Sequence, residues 1–407
     1  MQTSKARKER PENDSPRWLD RFCPAVRERL ENQRRFWAGA GPSLLFIPQS
    51  DPSFATGEAA LYSLDTYPER FRDPSLMYDA ERARAEQMVD WPTDGVPTIR
   101  PNLGTILVPA SAGQPCEVRP GAMPWPGESL SREEIRLLRG VAIENAELFR
   151  RALTFYELSL DTDKTIPYQA DGQGVFDIAH LLYGDQVFLD LATEGEEEWI
   201  ADLLEVSLDL FLRATDAMKR AIGEPSGEMV HGHATPQGLY FPGAGTRISE
   251  DTATLLSPAM IEERIAPVMR RSAEPFGGAF VHYCGNHREL FEMLCAAPWC
   301  VAIDLGNPEA YDFAHLANEA ARTGTVLYSR VASEGEEHWR EYITRVATVI
   351  SETGLRAVVR PVVYPDTRED CREMLAIFHE LTDSSAAGGD VAAGGTDGGG
   401  TSGASDQ

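Results

Sequence analysis

Apolar and polar positions along the chain change period from block to block. Residues 18–37 carry an apolar position every three to four residues, which predicts an amphipathic helix. Residues 43–48, Ser-Leu-Leu-Phe-Ile-Pro, form a continuous apolar run ended by proline, as in a strand covered on both faces. Residues 97–112 are β-rich with Gly and Pro breaks, and 131–158 read as one helix. Ser131 opens that helix with Glu134 three residues on, a capping-box pattern. Strand-like runs then follow at 165–170, 228–234, 278–284, 299–304, 325–328 and 355–359. Helical periodicity occupies 174–183, 196–221, 257–275, 287–297, 308–323, 335–353 and 367–381 between and after them. Strands separated by helices predict a parallel sheet. About eight such units over roughly 350 residues predict an α/β fold, a (β/α)8 TIM barrel with an N-terminal helical extension. An open doubly wound sheet is the alternative. No Gly-x-Gly-x-x-Gly turn follows the first strand, however, and no phosphate-binding loop pattern occurs.

Composition narrows the function classes. The 407 residues are 42% hydrophobic, and 64 acidic side chains outweigh 38 basic ones for a net charge of −26. Such a field argues against nucleic acid or an anionic membrane as partner, since both need clustered Lys and Arg. Residues 1–16 are polar and charged and 384–407 are Gly-, Ala- and Ser-rich, so both read as disordered tails around one domain, 17–383. No run of 18 apolar residues and no apolar secretory core are present, and the six cysteines are irregularly spaced. Those features predict a cytoplasmic protein with free thiols.

The strongest chemical signal lies in Gly278-Ala279-Phe280-Val281-His282-Tyr283-Cys284-Gly285-Asn286. Side chains at i and i+2 of a strand share a face, so His282 and Cys284 converge at a strand end. Zinc accepts both, and an α/β barrel gathers its chemistry at such ends. The plain alternative is a hydrogen-bonded core histidine beside a buried cysteine. His231 and His233 repeat the i, i+2 spacing at the end of the 228–234 run, which reads as the preceding strand of the barrel. His180, His287, His315, His338 and His379 fall on helices, as packing or surface residues. Asp171 and Asp304 close two other strands, as acid–base groups, partners of a ligating histidine, or simple caps. Asp94, Arg100 and Asn102 in an early loop, with Asn286 in the turn after Cys284, are candidates to bind substrate. Ser249-Glu250-Asp251-Thr252 could cap a helix or reach substrate.

Three segments together resemble the uroporphyrinogen decarboxylase superfamily: 168–189, 248–286 with its Phe-Val-His-Tyr-Cys-Gly-Asn run, and 101–125 beginning Pro-Asn-Leu-Gly. The resemblance covers about residues 90–380 and implies a TIM barrel. True uroporphyrinogen decarboxylases of that superfamily carry an Arg-Gln-Ala-Gly-Arg-type loop that grips substrate carboxylates. Here the matching stretch is Arg34-Arg35-Phe36-Trp37-Ala38-Gly39, without the motif. The corrinoid-dependent methyltransferase branch is similar at His-x-Cys-Gly. What that branch implies is zinc on His282 and Cys284, a thiol that takes the methyl group, and a corrinoid carried by a partner protein. Its further cysteine ligand near the last strand is missing. Arg360-Pro361 stands about where it would be, which leaves His233 or His231 as third ligand, with Asp304 assisting. The expectation is a zinc-dependent methyltransferase acting on a small molecule. A cofactor-free carboxy-lyase and a non-catalytic ligand-binding barrel are the alternatives.

Overall fold

In the computed structural model, residues 17–49, 64–233 and 235–383 are described, so the expected tails at 1–16 and 384–407 lie outside them. Among the described residues twelve strands run in chain order: β1 Leu44–Leu45, β2 Val96–Ile99, β3 Cys116–Glu117, β4 Trp125–Pro126, β5 Ile166–Pro167, β6 Glu228–His231, β7 Gln237–Pro242, β8 Thr246–Ser249, β9 Ala279–Tyr283, β10 Cys300–Leu305, β11 Val326–Val331 and β12 Ala357–Pro361. Six of them form a parallel sheet ordered β1-β12-β11-β10-β9-β8, with helices between most successive strands. A second sheet, β5-β2-β7-β6, is mixed, because β7 runs antiparallel to both neighbours. The eight parallel units expected from the sequence therefore become a parallel half and a mixed half. The 228–234 run is one arm of the β6–β7 hairpin and not the strand before β9. That strand is β8, which pairs with β9.

Alternation within the parallel strands separates two cores. Val281, Tyr283, Ile303 and Leu305 pack outward with the helices, while Phe280, Ala302, Val326, Tyr328 and Val358 pack inward. Register then sets Ser249 beside His282, His282 beside Asp304, and Asp304 beside Tyr328. One inward row thus passes from aliphatic to polar near the strand ends, which is where chemistry can be placed.

Other local expectations shift for identifiable reasons. The capping box at Ser131 is present, but the helix it opens stops at Leu137. Gly140, at φ 72°, ends that segment, and a separate helix Glu147–Ser159 follows. Within 97–112 the chain leaves β2 and turns into a short helix, Leu107–Ser111. The 257–275 helix contains a π-helical turn, Ile261–Ile265, just before Pro267 removes a backbone donor.

The N-terminal helix Pro24–Ala38 covers β2 and β7. Its Val26 and Leu30 join Val96, Val230 and Tyr240 in a small core. Gln33 is fully buried there, donating to the carbonyls of Asp94 (2.7 Å) and Gly238 (3.0 Å) and accepting from the Tyr240 amide (2.7 Å). Gln33→Leu leaves three buried backbone groups unpaired, with an expected loss of about 3 kcal/mol. A lower denaturant midpoint at unchanged slope would report it. Among the described residues no helix is long and apolar enough to cross a membrane.

Candidate active site

Asp304, on β10, organises the row. It is fully buried, and its Oδ2 lies 2.8 Å from His282 Nδ1 and 2.9 Å from His233 Nε2, while Oδ1 meets Arg360 Nη2 at 3.2 Å. Burial alone would raise its pKa. His233, Arg360 and His282 instead hold the carboxyl well below the usual aspartate range. A carboxylate offers only lone pairs, so both imidazoles must donate to it. The proton of His282 is thereby fixed on Nδ1, and Nε2 is the nitrogen left to bind.

That nitrogen faces a second group. His282 Nε2 lies 3.5 Å from Cys284 Sγ and 3.6 Å from Asp251 Oδ1. Cys284 follows the last residue of β9, and its amide donates to Asp251 Oδ1 at 2.6 Å. Two glycines permit the turn. Gly285 holds φ 105°, and a Cβ on Gly306 would overlap the Cys284 sulfur. Burial, and then the Asp251 carboxylate, push the Cys284 thiol up to about 11.

The Asp251 loop is itself clamped. Asp177 accepts from the amides of Asp251 (3.1 Å) and Thr252 (2.8 Å), and Glu250 accepts from those of Phe176 (3.3 Å) and Asp177 (3.2 Å). Both carboxyls are raised, chiefly by burial.

The structure thus sorts the sequence candidates. Two groups of three ligand-type side chains lie within 4.8 Å among the described residues: His233, His282 and Asp304, and Asp251, His282 and Cys284. His233 falls in the first, with His282 and Asp304, and Cys284 in the second, so His282 is common to both. Burial drives the His233 pKa down to about 3, and φ 41° at that residue marks a strained backbone. His231 is buried, with Nδ1 accepting from the His233 amide at 3.0 Å and its pKa lowered by burial and Arg247.

Asp171 and Arg100 do meet, as an ion pair at the ends of β5 and β2, with Arg247 at 3.7 Å. Burial opposes that carboxylate, but Arg100 and Arg247 keep its pKa low. Asp94 is committed elsewhere, to the Leu45 amide (2.7 Å) and His379 (2.8 Å). Asn102 donates its backbone amide to Met77 and accepts from the Tyr67 hydroxyl through its carbonyl. Asn286 is exposed. Asp251 was visible only as a cap or substrate contact. The four-residue β8 that delivers it, with alternating Thr246 and Ile248, was the weak signal for it.

A solved methyltransferase from Methanosarcina mazei has a similar fold, with a TM-score of 0.60 and 12% sequence identity over 87% of this chain and 98% of that one. No protein-family model matches the chain. No curated protein matches it by sequence.

Proposed function

We propose that this chain is a TIM-barrel methyltransferase of the uroporphyrinogen decarboxylase superfamily that holds zinc on Cys284 Sγ, His282 Nε2 and an oxygen of Asp251. The observation that carries this reading is spacing. Bonds of about 2.0–2.3 Å at tetrahedral angles set neighbouring donors roughly 3.3–3.8 Å apart. The 3.5 and 3.6 Å separations around His282 Nε2 match that edge length. The 2.8 and 2.9 Å contacts on Asp304 are hydrogen bonds and leave no room for an ion. Three protein donors with one side open to solvent at Cys284 suit a catalytic site. The fold shared with the M. mazei methyltransferase supports methyl transfer as the reaction.

Zinc bound there would lower the pKa of a substrate thiol and hold it as thiolate. Asp304 orients His282 and sets its tautomer, and the Asp177–Glu250 clamp keeps Asp251 in reach. The methyl donor is a corrinoid on a separate protein. Such a corrinoid would supply the methyl group to the substrate sulfur and take back the bonding electron pair, the thiol proton leaving to solvent, while Cys284, His282 and Asp251 would hold the ion that presents the thiolate. The carboxy-lyase alternative would use Asp94 or Asp171 with arginines such as Arg100; Asp171 does meet Arg100 and Arg247, while Asp94 is bound to the Leu45 amide and His379.

The test is methyl transfer from methylcobalamin to small thiols by protein with one bound zinc. Zinc-replete protein that transfers no methyl to any thiol counts against the reading. Because zinc must displace the Cys284 proton, apparent zinc affinity is expected to rise about tenfold per pH unit between about pH 7 and 9. A flat profile in competition with a chelator would exclude Cys284 as a ligand.

A further inference from the structure

A cavity of about 250 Å³ opens beside this site, walled by Arg84, Arg330 and Arg360 with Phe46, Met88 and Gln237 among its other lining residues. Among the described residues no Asp or Glu lines it, in a chain with 64 acidic residues. The largely buried Arg360 and the more exposed Arg330 on one wall make it a local positive spot in a negative protein, which draws and holds anions. Arg360 is only partly spent. Its single 3.2 Å contact to Asp304 runs through Nη2, and its Nε is buried without a hydrogen-bond partner among the described residues. The Tyr328 ring lies under its guanidinium at 4.9 Å and keeps it in place. Arg330 pairs with Arg360 in register across β11 and β12 and donates to the Gly306 carbonyl, next to Cys284. Phe46, Met88 and three prolines supply an apolar part of its lining.

We propose that this cavity binds a small organic acid, with its carboxylate or equivalent anion on Arg330 and Arg360 and its apolar body against Phe46 and Met88. The relay Arg360–Asp304–His282 connects the bound anion to the side chain that faces Cys284. What becomes of the bound molecule rests on the methyl-transfer reading above; the binding itself does not. The site then selects substrates that carry a negative charge on an apolar frame.

Calorimetry with benzoate and benzamide, which differ in charge but hardly in shape, tests this on the protein as purified. Benzoate is expected to bind at least about tenfold more tightly than benzamide. Arg360→Gln should weaken benzoate by about tenfold and Arg330→Gln by at least about threefold, with benzamide unchanged. Arg330 is exposed, so its variant keeps the test valid if Arg360→Gln fails to fold. Equal binding of the two probes, no benzoate binding, or benzoate affinity untouched by Arg330→Gln overturns the proposal. So does benzoate binding that collapses when a chelator strips metal, since the carboxylate was then on the ion. Zinc analysis of the same samples separates the two readings. Absent zinc with charge discrimination intact sinks the metal site alone, and zinc present without discrimination sinks the anion site alone.

Discussion

Cys284→Ala is expected to purify with less than about a tenth of the wild-type zinc and to lose methyl transfer by about a thousandfold or more. The substitution leaves His282 and Asp251 as two donors, too few for a tight structural or catalytic zinc site. It also removes the donor most able to soften the ion toward a thiolate. His282→Ala should give the same loss of metal, because Nε2 is the donor common to both 3.5 and 3.6 Å contacts. Cys116→Ala is the control: that cysteine is exposed on β3 and touches none of these groups. Plasma emission measurements on the purified proteins decide it. Equal metal in wild type, Cys284→Ala and His282→Ala would remove these residues from any metal role.

Asp304→Ala is expected to be the most destabilising single change at the site, costing about 3–5 kcal/mol. It strips the partner from Arg360 and from two imidazoles at a fully buried position. Chemical denaturation would show the loss directly. Asp304→Asn is the milder form, since an amide retains one acceptor oxygen for a histidine but offers an N–H to the other groups. If it folds, it should weaken zinc binding by about 10–100-fold while leaving all three ligands in place. Wild-type affinity in a folded Asp304→Asn would mean that His282 needs no orienting carboxylate. The acid dependence has a definite sign. The folded-state pKa of Asp304 lies below its unfolded value, so its stabilisation is complete above about pH 4. It is lost as acid titrates the folded carboxyl, and Asp304→Asn should lack that component.

How far the site could be read in advance depended on distance along the chain. His282 and Cys284 are two residues apart in a β-branched and aromatic run, and their convergence follows from the strand period alone. Asp304 was legible as a strand-closing carboxylate, although not as the acceptor shared by His233, His282 and Arg360. Arg360 was visible only as an irregularity, an arginine where the resembled branch has a cysteine. In the fold it faces Asp304 and lines the neighbouring cavity. The partners of Asp94, the Leu45 amide and His379, were not legible because they are 49 and 285 residues away.

By itself the chain's pattern determined the strand–helix alternation, the capping box at Ser131, and the pairing of an imidazole with a thiol at one strand end. Those features come from side-chain period and backbone chemistry within a few residues. Only the tertiary structure decided that β8 lies beside β9, that β6 and β7 fold as a hairpin, and that Asp251 completes the group around His282. Strand order and register are set by hydrogen bonds and packing between residues far apart in sequence. No local pattern encodes which distant carboxylate those bonds bring to the sulfur of Cys284.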